Sequence, residues 1–284
     1  MKIISRQWWV NTVFLVALAC WSLLSAIVWA SWAGPAEGGG PEPPSGMQYI
    51  IGGVYAPLFK EAGVEQPTLV ASFYLDTYPV TNAQYVAFLQ ANPRWRRSQV
   101  SPLLADAAYL RHWQADVPPL EVATAIAQRP VTSVSWFAAH AYCRWQQKRL
   151  PSTAEWEYVA LASTTAPDGS KDSAYQAHLL AWYTLPAPAV PPRIGSRQKN
   201  YWGISDLHGS LWEWVADFQT AFSPGAARGD TEAERDRFCG SGALEVSEQE
   251  RVNYPVFMRY AYRRSLRGMY TIQNLGFRCA KDLP

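Results

Sequence analysis

Apolar residues recur at helical spacing in three stretches of this chain, each behind a residue that can cap a helix. In the first stretch Tyr85, Phe88 and Leu89 lie at i, i+3 and i+4. That helix should end before Pro93, because proline disfavours helix at the residue preceding it. The predicted helices are 82–92 behind Thr81 or Asn82, 136–147 behind Ser135, and 153–162 behind the Ser152–Glu155 capping box.

The rest of the pattern predicts short strands and much irregular chain. Strands are expected around Gly52, around Phe73 and over residues 276–280. Residues 164–199 are rich in alanine, proline and serine, and they are predicted to form an irregular surface excursion. The sum is an α+β domain with much coil.

The first 46 residues differ from everything that follows. The run 8–33 has no charged residue and is long enough to cross a bilayer as a helix. Lys2 and Arg6 precede it, so the rest of the chain should lie outside the cytoplasm. A cleaved signal peptide and a lipoprotein modified at Cys20 are the alternatives, and both give the same placement. Residues 34–46 form a Gly/Pro linker, which leaves 47–284 as the domain.

Composition limits the classes of function. The chain has 284 residues, a formal net charge of +2 and 14 tryptophans. This length suffices for one large domain with a proper core. So small a net charge gives no reason to expect a nucleic-acid partner. The many tryptophans suit a domain with long irregular segments, because large rigid rings bury area that regular elements do not.

Several sequence blocks occur in a fixed order between residues 47 and 282. They are Gly52-Gly53, 79–82 (PVTN), 130–136 (PVTSVSW), 141–143 (AYC), 148–158 (KRLPSTAEWEY), 203–214 (GISDLHGSLWEW) and 276–280 (GFRCA). In this order they resemble the formylglycine-generating enzymes, also called sulfatase-modifying factors. The resemblance implies a single domain with a greatly modified C-type-lectin-like fold.

The same resemblance shows what this chain lacks. Enzymes of that family carry two cysteines about five residues apart, shortly before the last block, which bind copper and oxidise a cysteine of the substrate. Val256 and Ala261 stand at the matching positions here. Because soft thiolates select copper(I), copper is not expected as a cofactor. The resemblance therefore implies a family scaffold without the copper-oxidase chemistry.

Two of the four cysteines fall in blocks that carry a disulfide in some secreted members of the family. The resemblance thus implies a bridge between Cys143 and Cys279. Cys239 is then left over. It is either a redox thiol, a copper ligand, a partner in an intermolecular bridge or a small buried apolar residue.

The segment around Ser210 resembles a calcium site of the family. Ser210, the Leu211 carbonyl and Glu213 are its candidate ligands, although serine replaces the asparagine that the family uses. The alternative is that Glu213 makes a buried contact to an arginine of the C-terminal part, namely Arg263, Arg264 or Arg278.

Aromatic residues alternate with arginines after residue 253. Tyr254, Arg259, Tyr260 and Tyr262, with Cys239 nearby, are predicted to line a groove that binds a protein partner. The alternative is that Arg259 belongs to a buried ion pair. The favoured function is a periplasmic, membrane-anchored accessory or maturation protein, linked through its relatives to respiratory enzymes such as those of denitrification. An oxidoreductase with a relocated site near Cys239 and a structural subunit of a membrane complex remain alternatives.

Overall fold

The computed structural model describes residues 42–56, 67–118, 120–184, 188–218 and 254–284, and Glu42–Pro284 forms one compact unit. The helices are α1 (Asn82–Ala91), α2 (Leu120–Ile126), α3 (Trp136–Trp145), α4 (Thr153–Ala160), α5 (Ser173–Thr184) and α6 (Tyr254–Ser265), with a short 3₁₀ turn at Pro93–Trp95. The strands are β1 (Met47–Ile50), β2 (Gly53–Tyr55), β3 (Thr68–Val70), β4 (Phe73–Asp76), β5 (Trp212–Glu213), β6 (Leu275–Gly276) and β7 (Ala280–Asp282).

The predicted N-terminal segment 1–33 and most of the predicted linker lie outside the described residues. Within the described ranges, no helix has the length and apolar character needed to cross a membrane.

Three small sheets join the first and last strands of the domain to the segments between them. The central sheet is antiparallel with the order β1-β4-β7, so the C-terminal strand pairs with β4 and β4 is buried throughout. Strands β2 and β3 form a separate antiparallel pair. Strands β5 and β6 pair in parallel and place Glu213 beside Gly276. The strands predicted around Gly52 and Phe73 are thus confirmed. Over 276–280 the prediction holds only at the two ends, where β6 ends and β7 begins, because residues 277–279 belong to neither strand.

The three predicted helices begin where their caps predict. The Thr81 hydroxyl accepts a hydrogen bond from the Gln84 amide, while the Gln84 side chain accepts one from the Thr81 amide. Ser152 and Glu155 form the same reciprocal box at the start of α4. Helices α3 and α4 each end two residues before the predicted boundary.

One prediction about the fold is wrong. The segment predicted to be irregular contains the helix α5, which packs against α6. The Asp172 carboxylate accepts a hydrogen bond from the Tyr175 amide and so caps the first turn. The prolines of this segment that break helices stand after the last turn of α5, between residues 186 and 192, and therefore do not interrupt it.

A disulfide joins α3 to the chain just before β7. Cys143 and Cys279 are bonded, with their Cα atoms 5.7 Å apart, and both are fully buried. This is the pairing that the family resemblance implies. Next to it Tyr142 packs edge-on against Phe277 at 5.3 Å between ring centroids, which anchors the C-terminal strand in the aromatic core.

Candidate functional site

Helices α4 and α6 meet at a buried ionic group, called here the Glu157 cluster and made of Glu157, Arg259 and Arg263. Arg259 binds the carboxylate in a two-pronged way, with its Nε 2.9 Å from Oε1 and its Nη2 2.8 Å from Oε2. Arg263 lies one helical turn further along α6 and donates from Nη1 to Oε1. All three side chains are almost completely excluded from solvent.

The Glu157 cluster holds one carboxylate and two guanidinium groups, a formal charge of +1. Aromatic faces offset part of this surplus: the Arg263 guanidinium lies 4.7 Å from the Trp156 ring centroid, and that of Arg259 lies 5.5 Å from the Tyr183 ring. Burial alone would raise the pKa of Glu157. The charges of Arg259 and Arg263 outweigh it and lower the pKa to about 2.

A hydrogen-bonded chain leads from this cluster to a histidine. Arg259 Nη1 donates to the Tyr183 hydroxyl at 3.2 Å, which lies 3.3 Å from His208 Nδ1. His208 Nε2 lies 3.1 Å from the Ala160 carbonyl and donates its proton there, so Nδ1 is the acceptor. Burial and the nearby Arg259 charge lower the pKa of His208 to about 3. His208 is therefore neutral at ordinary pH, and both of its ring nitrogens are engaged.

A cavity of about 280 Å³ lies beyond His208, between α5 and the loop that includes residues 196–208. Trp182, Arg197 and Lys199 contribute to its wall, and the Arg197 guanidinium lies 5.5 Å from the Trp182 ring centroid. His208 also lines this cavity, with both of its ring nitrogens bonded to protein groups.

The predicted partner groove needs correction at two residues. Arg259 is 2% exposed and Tyr260 is 6% exposed, and the Tyr260 hydroxyl lies 3.1 Å from that of Tyr55 in β2. Both residues therefore hold α6 in the core. A partner that bound Arg259 would also remove one of the two guanidinium groups that neutralise the buried Glu157 carboxylate. Tyr254 and Tyr262 are half-buried, and Cys239 lies outside the described residues.

Val256 and Ala261, which the family resemblance predicts to occupy the positions of the copper cysteines, lie on helix α6. Val256 is buried and Ala261 is half-buried. Residues five apart on an α-helix are separated by about 140° around its axis. Side chains at these two positions therefore point to different sides of α6, and they do not converge on one point.

The predicted calcium ligand Glu213 belongs to a second ionic group, called here the Glu213 cluster and made of Glu213 and Arg278. The Glu213 carboxylate lies 2.8 Å from Arg278 through each of its oxygens, and Oε2 also accepts from Trp156 Nε1 at 2.7 Å. Arg278 donates further to the carbonyls of Asp76, Thr77 and Ser205. The alternative contact predicted for Glu213 is thus the one observed.

This arrangement does not suit calcium at Glu213, because a divalent cation would have to displace Arg278 from a fully buried carboxylate. Ser210 is buried, and its hydroxyl has no hydrogen-bond partner within the described ranges. Nor do those ranges contain a group of three or more His, Cys, Asp or Glu side chains placed to hold a metal. Calcium binding stays a prediction, without Glu213 as its carboxylate ligand.

Three residues of this region were missed by the sequence reasoning, namely Glu157, Tyr183 and His208. A signal for Glu157 was available. It lies on α4 with Thr153 at i−4 and Ala160 at i+3, both on the buried face, so a carboxylate at that position requires a cationic partner. No comparable signal marks Tyr183, because it lies on the helix that was not predicted.

Comparison with known proteins agrees with the blocks described above. Residues 40–283 match the family described as sulfatase-modifying factor enzyme 1-like domain. The formylglycine-generating enzyme of Bos taurus is 27% identical over 307 residues, covering 89% of this chain and 79% of the relative. The inactive C-alpha-formylglycine-generating enzyme 2 of Mus musculus is 30% identical over 193 residues, covering 54% of this chain and 61% of the relative.

Among solved structures, PvdO from Pseudomonas aeruginosa is 20% identical, covers 84% of this chain and 94% of its own, and has a TM-score of 0.45. The family match spans nearly all of the compact unit and confirms the predicted resemblance. The chain belongs to the sulfatase-modifying factor enzyme 1-like domain family, with an α+β domain.

Proposed function

We propose that this protein is a periplasmic, membrane-anchored accessory or maturation protein that binds another protein and does not form formylglycine. The observation that carries the proposal is helix α6. Its positions Val256 and Ala261, which match the copper cysteines, have no thiol and point to different sides of the helix. A copper(I) site needs soft ligands that converge on the metal.

The Glu157 cluster makes this arrangement hard to undo. Unwinding α6 would separate Arg259 and Arg263 from Glu157 and would leave a buried carboxylate without its cations. The hydroxyl contact between Tyr260 and Tyr55 ties the same helix to β2. We therefore expect α6 to persist in solution and not to open into a substrate cleft.

The compartment and the partner rest on separate support. The Cys143–Cys279 disulfide suits an oxidising compartment, in agreement with the predicted span at 8–33. We further propose a respiratory enzyme, such as one of denitrification, as the partner, on the strength of the family resemblance. The inactive relative in mouse shows that the family includes members named as lacking the enzyme activity.

The side of α6 that is not fully buried is the proposed partner surface. Tyr254, Met258, Ala261 and Tyr262 are half-buried and follow the i, i+4, i+7, i+8 spacing of one helix face. Tyr262 stacks on Trp212 with ring centroids 4.3 Å apart, so a broad aromatic surface continues beyond the helix. Aromatic anchors of this kind commonly dominate interface energetics.

The absence of oxidase activity is tested directly. The full chain is incubated with a sulfatase-type cysteine peptide, copper(I) and oxygen, and the peptide is analysed by mass spectrometry. We expect no conversion of cysteine to formylglycine, while an active formylglycine-generating enzyme converts the same peptide in parallel. Conversion by this chain would overturn the proposal.

The partner surface is tested by co-purification from membranes. Tyr254→Ala should lower the affinity for the co-purified partner by roughly tenfold, with little change in melting temperature. The matched control is Tyr201→Ala, because Tyr201 is exposed elsewhere on the domain. Equal retention of the partner by both variants would exclude this face of α6.

A further inference from the structure

Three aliphatic side chains stand exposed at the β2–β3 pair. Ile51, Val54 and Leu69 are 54%, 66% and 78% exposed. Val54 lies directly opposite Leu69 in the antiparallel register, so the two side chains project from the same face. Tyr55 and Val70, their neighbours along the strands, are buried on the other face. An antiparallel pair with one solvated face ordinarily carries polar residues there, and this one carries aliphatic residues.

The pair is held rigidly against the body of the domain. The Tyr158 hydroxyl donates to the Ile51 carbonyl at 3.1 Å, and the Gly52 amide donates to the Ser72 hydroxyl at 2.9 Å. A side chain at Gly52 would collide with the backbone of β3, because its Cβ would lie 2.4 Å from the Val70 carbonyl oxygen. The three aliphatic side chains are therefore displayed outward from a fixed backbone.

We infer that this aliphatic face, made of Val54 and Leu69 with Ile51 exposed just before β2, rests in the interface of the lipid bilayer to which the chain is anchored. This inference rests on the membrane anchorage in the proposed function. The predicted span ends at residue 33 and β1 begins at Met47, so thirteen residues, 34–46, separate them. Fully extended, they reach at most about 45 Å. Ile51 follows β1 directly, only about 13 Å of strand further on.

The size and chemistry of the face favour lipid over protein. A stable dimer buries about 800 Å² on each partner, and three aliphatic side chains fall well short of that area. The centres of protein interfaces are also enriched in aromatic residues and arginine, whereas this face offers only Ile, Val and Leu. A bilayer interface accepts such side chains because they need no hydrogen-bond partners. The anchor also keeps the domain near the membrane, which raises the effective concentration of this face at the bilayer.

The test places a photoreactive benzoylphenylalanine at position 69 of the full chain, reconstituted in phosphatidylethanolamine–phosphatidylglycerol vesicles. The matched control carries the same residue in place of Leu103, which is 83% exposed and lies elsewhere on the domain. We expect severalfold more lipid adduct at position 69 than at position 103. A third variant, with the probe at position 69 and Val54→Asp beside it, should show a reduced lipid yield because a charge opposes entry into the bilayer.

Other occupants give other products. A crosslink from position 69 to a second copy, to another protein or to another segment of this chain would overturn the inference. Equal lipid yields at positions 69 and 103 would do the same. Flotation of the vesicles reports on the anchorage separately. Protein that floats without a lipid adduct at position 69 contradicts the inference alone, and protein that does not float contradicts the proposed anchorage and the inference together.

Discussion

The Glu157 cluster and the Glu213 cluster lie on either side of one tryptophan and are built differently. Trp156 donates its indole N–H to Glu213 and presents its ring face to Arg263. The Glu213 cluster pairs one carboxylate with one guanidinium. The Glu157 cluster pairs one carboxylate with two.

The two clusters also differ in where their residues lie relative to the sequence blocks that resemble the family. Glu213, Arg278 and Trp156 all lie in blocks that resemble the family, and the Glu213 cluster connects β5 to the C-terminal strand region through carbonyl acceptors. Glu157 lies in one of these blocks as well, whereas Arg259 and Arg263 lie on α6, outside them. A neutral ion pair thus joins residues of the blocks to one another, and a cluster with surplus charge fixes α6 to α4.

The largest expected effect comes from breaking the disulfide. Cys279 directly follows Arg278, so the bridge fixes the backbone next to the Glu213 cluster. The bridge closes a loop of 136 residues. On the chain-entropy account, breaking it should cost about 5 kcal/mol of unfolding free energy. Urea unfolding with and without reductant measures this loss. In hydrogen exchange, the amides around β7 should lose more protection than those of α6. An unchanged urea midpoint after verified reduction would contradict the prediction.

Glu157→Gln should come next in size. It leaves two buried guanidinium groups without a carboxylate, and the expected loss of unfolding free energy is about 3–5 kcal/mol. The matched control is Glu155→Gln on the same helix. Glu155 binds the partly exposed Arg149, and glutamine preserves the capping box, so about 1 kcal/mol or less is expected. Similar losses for the two variants would mean that the Glu157 cluster contributes no more than a surface pair.

Glu213→Gln should destabilise the protein less than Glu157→Gln, by about 3 kcal/mol. Only one guanidinium loses its carboxylate, and Arg278 retains the three carbonyl acceptors at Asp76, Thr77 and Ser205. Urea unfolding of both glutamine variants under one set of conditions gives the comparison. A larger loss of unfolding free energy for Glu213→Gln than for Glu157→Gln would contradict this order. It would show that groups other than the aromatic faces also balance the surplus positive charge of the Glu157 cluster.

Local signals made most of the scaffold predictable from sequence. The caps at Thr81, Ser135 and Ser152 fixed three helix starts, because cap chemistry depends on residues only three positions apart. The family blocks supplied the Cys143–Cys279 pairing and included Arg278 among the contacts predicted for Glu213, since both partners of each of these two pairs lie within the blocks.

The contacts of α6 were less predictable from sequence because they depend on long-range pairing. Arg259 meets a carboxylate 102 residues away, and nothing near Arg259 in the sequence indicates whether it faces a partner or Glu157. The sequence of residues 164–199 does not reveal helix α5, because the segment as a whole is rich in proline and serine although its proline cluster begins only after the helix ends. Burial of Arg259 could therefore be foreseen only as one of two alternatives, and the helix α6 that carries it was not predicted.

The smallest predicted effect concerns pH and the histidine at the end of the Glu157 cluster's hydrogen-bonded chain. The pKa of His208 is about 3 in the folded protein, against an ordinary value of 6.5. Between these values the unfolded chain binds a proton that the folded protein excludes. Stability should therefore fall as pH decreases from about 6.5, by about 1.4 kcal/mol per pH unit for this one group.

His208→Gln should make the slope between pH 6.5 and 5 shallower by the contribution of His208, because glutamine does not titrate and its amide can still donate to Ala160 and accept from Tyr183. The part of the slope that comes from His112 and His140, whose pKa values burial also lowers, should remain. Glu157 does not contribute to the pH dependence of stability between pH 6.5 and 5. Its folded pKa is about 2, so its contribution to stability is complete above about pH 4.5 and is lost only below that value. Urea midpoints across this range are compared for wild type, His208→Gln and the exposed His178→Gln. His178→Gln is the matched control, because it removes an exposed histidine that is not part of the hydrogen-bonded chain. If the urea midpoint of His208→Gln depends on pH as steeply as that of wild type, His208 accepts a proton in the folded state. The assignment of a neutral His208 at the end of the chain from Arg259 through Tyr183 would then be wrong.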